Sequence, residues 1–378
     1  MTLSIQSIEL RDFRSYGRLC LEGIGPLTVL VGPNAVGKTN IVEGIQLLTA
    51  LTSFRHPTIE QMVRRGAERA FLGAHVSDGN RELDVELRME GHAKRYALNG
   101  KAKRTADLKG LVPSVTFTPD DLDLVKGSHG TRRKALDALG SQLNANYYLI
   151  LKDYEKVLQY KNRLLKEEAS DVMIDSIDEM LVTVGAQLAC YRASLFERLV
   201  PQVARRYGEI AGRGEALACA YRPCWEAGAP AASESAADAA PALAPLTRDA
   251  AREALEAALA GRRAEERARR RAVVGPQGDA IAFAIDGMDA TLYGSQGQQR
   301  SVVLAWKLAE AAVIEEMLDQ KPVLLLDDVM SELDEARRAA LVSYISDDVQ
   351  TFITTANLAY FDQAMLSAAR VIQLPLAE

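Results

Sequence analysis

Residues 32–39 read Gly-Pro-Asn-Ala-Val-Gly-Lys-Thr and follow directly on the apolar run Leu27-Thr-Val-Leu-Val31. A short buried strand that runs into two glycines and then a helix is a setting in which backbone N–H groups converge on an anion. The helix is legible too. From Lys38 to Leu51 the apolar positions Ile41, Val42, Ile45, Leu48 and Leu51 fall at three- and four-residue steps. Far downstream, Val323-Leu-Leu-Leu-Asp-Asp328 reads as another buried strand, ending on two carboxylates. In ATPases with this kind of loop, such an acidic strand end holds magnesium. The two halves of one phosphate–magnesium site therefore stand near opposite ends of a 378-residue chain. Both ends must join one α/β sheet, and the residues between them form a large insertion.

Gly32 and Gly37 let the backbone wrap closely around phosphate oxygens, and the start of the following helix adds partial positive charge. The expected nucleotide contacts are Gly32, Pro33, Asn34, Ala35, Val36, Gly37, Lys38, Thr39 and Asn40. Lys38 is expected to reach the β- and γ-phosphates, and the Thr39 hydroxyl to bind Mg2+. Asp327 is the second magnesium candidate, through water, and Asp328 is placed to orient or deprotonate the attacking water. Taken alone, the two carboxylates would read as a cap on a helix starting at 334–336. Ser295-Gln-Gly-Gln-Gln299, after Gly294, opens another helix and forms a second anion site. One ATP does not need two such sites from one chain. The economical reading is a dimer that sandwiches ATP, with the Ser295 hydroxyl and Gly297 amide meeting the γ-phosphate and Gln298 beside them. A simple helix cap is the competing reading of 295–299.

Apolar residues make up 48% and charged residues 25% of the chain, ordinary for a soluble globular protein. No run approaches the roughly 18 apolar residues that span a membrane, and Met1–Ile8 reads as the start of a strand, so a cytoplasmic, unanchored protein is expected. Cys20, Cys190, Cys219 and Cys224 lack metal-ligand spacing. A Cys219–Cys224 pairing is conceivable, but small incidental thiols are the simpler reading. The net charge of −6 argues weakly against a general nucleic-acid binder and leaves local basic patches open. Strands are predicted over 3–10, 27–31, 71–76, 83–89, 95–98, 280–285, 323–326, 351–354 and near 370–374. Between them, Tyr147–Leu165 and Ile177–Leu195 carry helical stripes of two or three heptads each, read as an antiparallel pair about 30 Å long. A low-complexity stretch, 227–246, reads as a mobile loop. The Ala/Glu/Arg helix 248–271 ends in the arginine-rich segment Arg262–Arg271. The expected divisions are an N-terminal head segment 1–130, a helical lobe 131–272 and a C-terminal head segment 273–378.

Taken together, Leu10-Arg-Asp-Phe-Arg-Ser-Tyr16, Gly32–Asn40, Phe117-Thr-Pro-Asp-Asp-Leu-Asp-Leu-Val-Lys-Gly127, Val274-Gly-Pro276, Tyr293–Arg300 and Leu324–Arg338 resemble the ABC-type ATPases of the SMC/Rad50 group. Within that group they resemble the RecF family of DNA replication and repair proteins. The resemblance implies an ABC-type ATPase head built from both chain ends, with a short inserted helical lobe where Rad50 has a long coiled coil. It also implies an ATP-dependent homodimer, sequence-independent DNA binding, slow hydrolysis, and cooperation with RecR and RecO in loading recombinase at gaps. Two departures stand out. The family's His-Arg-Asp-Asp string is replaced by Gln277-Gly-Asp-Ala280, which puts the role of that string in doubt. Asp328 stands where transporter ATPases carry glutamate, and Thr355 where they carry a switch histidine; both are usual for RecF. DNA-contact candidates are Arg64, Arg65, Arg69, Lys94, Arg95, Lys101, Lys103, Arg104, Lys109 and Arg262–Arg271. The alternative function is an SMC/Rad50-like ATPase with a different protein partner and no direct DNA role.

Overall fold

Leu27–Val31, Val323–Asp327 and Thr351–Thr355 are buried at every position, which suits strands covered on both faces of a parallel sheet. In the computed structural model, which describes residues 2–211, 214–226, 246–345 and 349–375, they are the centre of a five-stranded sheet. Its order is Arg370–Gln373, Leu27–Val31, Thr351–Thr355, Val323–Asp327, Ser114–Phe117, and every neighbouring pair is parallel. Both chain ends thus enter one sheet. The Lys38–Thr49 helix leaves this sheet from the end of Leu27–Val31, with Ile41, Val42 and Ile45 fully buried.

A second, six-stranded antiparallel sheet runs Tyr16–Glu22, Ser4–Phe13, Arg69–Ser77, Glu82–Glu90, Ala93–Leu98, Lys101–Lys103. Its strands alternate, turning Ile8, Leu10, Leu72, Leu87 and Tyr96 inward and charged residues outward. The Tyr96 hydroxyl donates to the Leu47 carbonyl of the helix beneath.

The chain divides into two compact units, Met1–Asp121 with Glu310–Glu378, and Leu122–Ala309. Sequence reading placed the divisions at 130 and 272. The difference arises because Ala280–Ile285 pairs with Leu217–Arg222 and Met288–Asp289 in a three-stranded sheet of the second unit. The Gln296–Leu318 helix crosses the boundary. In the second unit, His129–Leu143, Ala145–Lys166, Asp171–Ala211 and Arg248–Arg269 are helical. Asp171–Ala211 has 41 residues, about 60 Å at about 1.5 Å per residue, and continues well past the expected end at 195. The low-complexity loop read at 227–246 lies outside the described residues except for its last position. Among the described residues no helix is long and apolar enough to cross a membrane.

The second unit contains a buried charge network. Arg192, 3% exposed, donates to both oxygens of Asp137 at 2.9 and 2.7 Å and to Asp279 Oδ2 at 2.8 Å. Asp279, fully buried, also accepts from the Tyr221 hydroxyl at 2.6 Å and the Cys224 amide at 3.0 Å. The altered 277–280 string is therefore structural here through Asp279, while the Tyr154 hydroxyl bonds the Gln277 side chain. Removing one member of a buried charge pair leaves the other uncompensated, at about 3–5 kcal/mol. Asp279→Ala is expected to lower stability to urea by that amount, whereas Arg252→Ala, which breaks an exposed pair with Glu256, is expected to change it by about 1 kcal/mol or less. Equal losses in the two variants would show that the buried network is dispensable.

Candidate nucleotide site

The glycine loop forms because two of its positions tolerate nothing else. Gly37 has φ 105°, and a Cβ there would lie 2.8 Å from Tyr16 Oη and 2.9 Å from Ser15 Oγ. A Cβ on Gly32 would lie 2.5 Å from the Leu374 carbonyl oxygen. Ala35 also takes a left-handed φ of 67°, and Pro33, Asn34 and Ala35 are exposed at the loop's rim while Val36 is half-buried. Lys38, only 7% exposed, folds back to donate from Nζ to the Gly32 and Pro33 carbonyls at 2.7 and 2.9 Å. Its ammonium is thus held within the loop.

The acidic strand end meets the loop. Thr39 Oγ1 donates to Asp327 Oδ1 at 2.9 Å, although the two residues are 288 apart in the chain. Thr354 Oγ1 donates to the same oxygen at 2.7 Å and accepts from the Asp328 amide at 2.9 Å. Burial pushes the Asp327 carboxyl up from its ordinary pKa, and the two hydroxyl donors oppose that shift. Asp328 sits in a left-handed turn with φ 54°. Its pKa is also raised by burial and drawn back by the nearby Lys38 charge. Asp327 is buried at a strand end and Asp328 half-buried beyond it, so this pair is not an exposed helix cap.

These groups fit a nucleotide with Mg2+: a glycine cradle with no room for a Cβ, an ammonium held within it, and a hydroxyl and carboxylate already in contact. Mg2+ usually takes one or two protein oxygens and fills its octahedron with phosphates and water. Thr39 and Asp327 supply that kind of donor set.

Sequence reading missed the residues that brace this site. Thr354 only ended a predicted strand, and nothing local showed that its side chain would face Asp327. Glu43, fully buried, takes a fork from Arg14 at 2.7 and 2.9 Å and a hydrogen bond from Ser53 at 2.6 Å. Arg55 reaches Asn40 Oδ1 at 3.0 Å, and Asn40 Nδ2 donates to Ser15 Oγ at 3.0 Å. A glutamate between Val42 and Gly44 on an apolar helix face was the available signal. Thr355, at the switch position, exchanges hydrogen bonds with the Asn357 backbone.

The serine-glutamine segment belongs to the second unit. Ser295 Oγ accepts from the Gln298 amide at 3.2 Å, and Gln298 Oε1 accepts from the Ser295 amide at 2.8 Å, a reciprocal cap on the Gln296–Leu318 helix. Gln298 Nε2 also donates to Glu215. Ser295 is exposed and Gly297 partly so. Within this chain, then, the segment is arranged as a helix cap at the surface.

The arginine-rich helix end is less basic than its sequence. Arg262 and Arg269 pair with Glu265, Arg267 with Asp171, Arg263 with Asp171 and Asp175, and Arg270 with Glu168. The expected cationic patch lies against an acidic stretch of the neighbouring helical hairpin. On the other candidates, Arg64 pairs with Asp12 and Arg104 with Asp107, while Lys109 donates to the Ala50 carbonyl.

Gly37→Ala meets both a steric and a backbone conflict. It is expected to weaken binding of a fluorescent ATP analogue at least about tenfold, each tenfold being about 1.4 kcal/mol, with the circular dichroism spectrum unchanged. Binding equal to that of the parent would mean the loop is not the phosphate cradle.

Residues 4–374 match the RecF/RecN/SMC N terminal domain family. The chain is 37% identical to the DNA replication and repair protein RecF of Synechococcus sp. (strain JA-3-3Ab), over 98% of this chain and 96% of that one. It is 34% identical to RecF of Moorella thermoacetica, over 98% and 95%. The structure of the recombination mediator protein RecF–ATPrS in the RecFOR pathway superposes with a TM-score of 0.84 at 29% identity, covering 96% of this chain and 94% of that one. An Smc head domain from Pyrococcus furiosus shares the fold, with a TM-score of 0.53 at 16% identity. Matches of this extent, on an ABC-type ATPase head assembled from both chain ends, show that the chain belongs to the RecF family of DNA replication and repair proteins.

Proposed function

We propose that this protein is an ATP-gated dimeric clamp on DNA, with slow hydrolysis serving as a release switch. The observation that carries this reading is the contact of Thr39 with Asp327, because it joins the phosphate loop to the acidic strand end in one unit. ATP would be held by Gly32–Asn40, with Lys38 toward the β- and γ-phosphates. Thr39 and Asp327 would hold Mg2+, which would supply charge neutralisation of the phosphate oxygens. Asp328 orients the attacking water and accepts its proton, helped by the raised pKa of its half-buried carboxyl. Ser295, Gly297 and Gln298 of a second copy would close over the γ-phosphate, the surface cap at Ser295 giving way to phosphate contact. Closure would grip DNA without reading its sequence, hydrolysis would open it, and gapped DNA with RecR and RecO would be the setting for recombinase loading.

Three outcomes test this reading. Lys38→Met is expected to abolish both ATP-dependent dimer mass and ATP-dependent binding to gapped DNA. A dimer with ATP that ignores every DNA would keep the ATPase and favour a protein partner instead. Asp328→Glu lengthens the water-holding side chain by one methylene and is expected to raise turnover several-fold; an unchanged or lower rate counts against Asp328 in that role. Thr354→Val removes a donor to Asp327 and is expected to raise the Mg2+ concentration for half-maximal hydrolysis several-fold, with ATP-analogue binding little changed. An unaltered Mg2+ dependence would remove Thr354 from the metal site.

A further inference from the structure

We propose that Glu215, anchored by Tyr207, is a positioning residue for ATP-driven closure: through Gln298 it keeps the Ser295–Gln298 cap in the single arrangement from which Ser295 turns to a second copy's γ-phosphate. The inference rests on the sandwich reading above and says what holds the closing segment in place.

The cap does not fix itself. Ser295 and Gln298 bond one another reciprocally, but Ser295 is exposed and Gln298 only half-buried at the start of the Gln296–Leu318 helix. A glutamine amide carries an oxygen at one corner and a nitrogen at the other, and the two corners are nearly identical in shape. The cap needs the oxygen toward the Ser295 amide. With the side chain turned over, two N–H donors would face each other and the reciprocal bond would be lost. A second partner must therefore decide which corner points where.

Glu215 is that partner. Gln298 Nε2 donates to Glu215 Oε1 at 3.1 Å. A carboxylate only accepts, so it selects the nitrogen corner and sends the oxygen to Ser295. The other carboxylate oxygen is engaged too: Tyr207 Oη donates to Glu215 Oε2 at 2.7 Å. Tyr207 is fully buried near the end of the 41-residue Asp171–Ala211 helix. The backbone beside Glu215 is clamped as well. The Ala216 amide donates to Asp286 Oδ1 at 2.8 Å, the Asp286 amide donates to the Ala216 carbonyl at 3.0 Å, and Leu217 pairs with Ile285. Asp286 and Gly287, with φ of 49° and 79°, form the tight turn that presents those groups.

Two neutral donors, an amide and a hydroxyl, thus meet the two Glu215 oxygens, and the carboxylate acts as an acceptor. A glutamine in its place would still accept from Gln298, with the Tyr207 hydroxyl accepting from the new amide. An unengaged carboxylate so near the closing segment would instead repel a γ-phosphate. The contacts Tyr207–Glu215–Gln298–Ser295 make closure depend on the last turns of a helix that begins at Asp171, about 54 Å away along its axis at about 1.5 Å per residue.

The test uses the full-length protein with ATP and Mg2+ and follows dimer mass against protein concentration. Binding of a fluorescent ATP analogue to the monomer and the melting temperature are measured beside it. Glu215→Ala is expected to weaken ATP-dependent dimerisation at least about tenfold, with analogue binding and melting temperature matching the parent. Glu215→Gln, which keeps the acceptor, should stay within about threefold of the parent. Tyr207→Phe removes only the anchor and should weaken dimerisation about threefold. Adding it to Glu215→Ala should cost nothing more, because the two act through one chain of contacts. Dimerisation equal to or tighter than the parent's in Glu215→Ala overturns the proposal. So does a loss that Glu215→Gln shares in full, or one that analogue binding and melting temperature share. Ser295→Ala separates the two readings. If it dimerises with ATP like the parent, the sandwich falls and this role with it; if it fails to dimerise while Glu215→Ala matches the parent, only the positioning role falls.

Discussion

One hydrogen bond, from the Thr39 hydroxyl to Asp327, ties an N-terminal segment of this chain to a C-terminal one. For it to form, Leu27–Val31 and Val323–Asp327 must lie in one parallel sheet, with Thr351–Thr355 between them. Everything between the two motifs must then leave the sheet and return to it. The shared oxygen of Asp327 also accepts from Thr354, the last but one residue of that middle strand. Two strands and the start of the Lys38–Thr49 helix thus converge on one carboxylate. Buried and hydrogen-bonded by two hydroxyls, that carboxylate has its orientation fixed within this chain.

The second unit shows a different use of buried charge. Arg192 bridges Asp137 and Asp279, and Lys161 lies between Asp178 at 2.7 Å and Glu266 at 2.6 Å with its side chain fully buried. Each of these cations joins helices to segments distant in sequence. Such pairs contribute little net stability over apolar packing, yet each fixes which surfaces meet, since a shifted register would strand a charge. Within the 277–280 string, Asp279 is the member that anchors this network, through Arg192, Tyr221 and Cys224.

Charge on the surface cannot be read by counting along the chain. Arg262–Arg271 looks basic as a string, but folding sets it against Glu168, Asp171 and Asp175.

The sequence by itself determined the glycine loop, the acidic strand end, the helical insertion and the family, because each rests on a contiguous string whose chemistry is local. Glycine spacing, a β-branched run and a three/four apolar stripe need no distant partner to be legible. It did not reveal Tyr16–Glu22, Ser114–Phe117 or Leu217–Arg222 as strands. The first mixes glycine and charge, the second has four residues, and the third is half alanine and cysteine, so pairing with neighbours decides them and local preference does not. Tertiary structure alone decided that Thr354 faces Asp327, that Glu43 is the buried hub of Arg14 and Ser53, and that the 294–299 segment belongs to the helical unit. Those facts depend on which side chains approach across hundreds of residues, and no local pattern encodes a long-range distance.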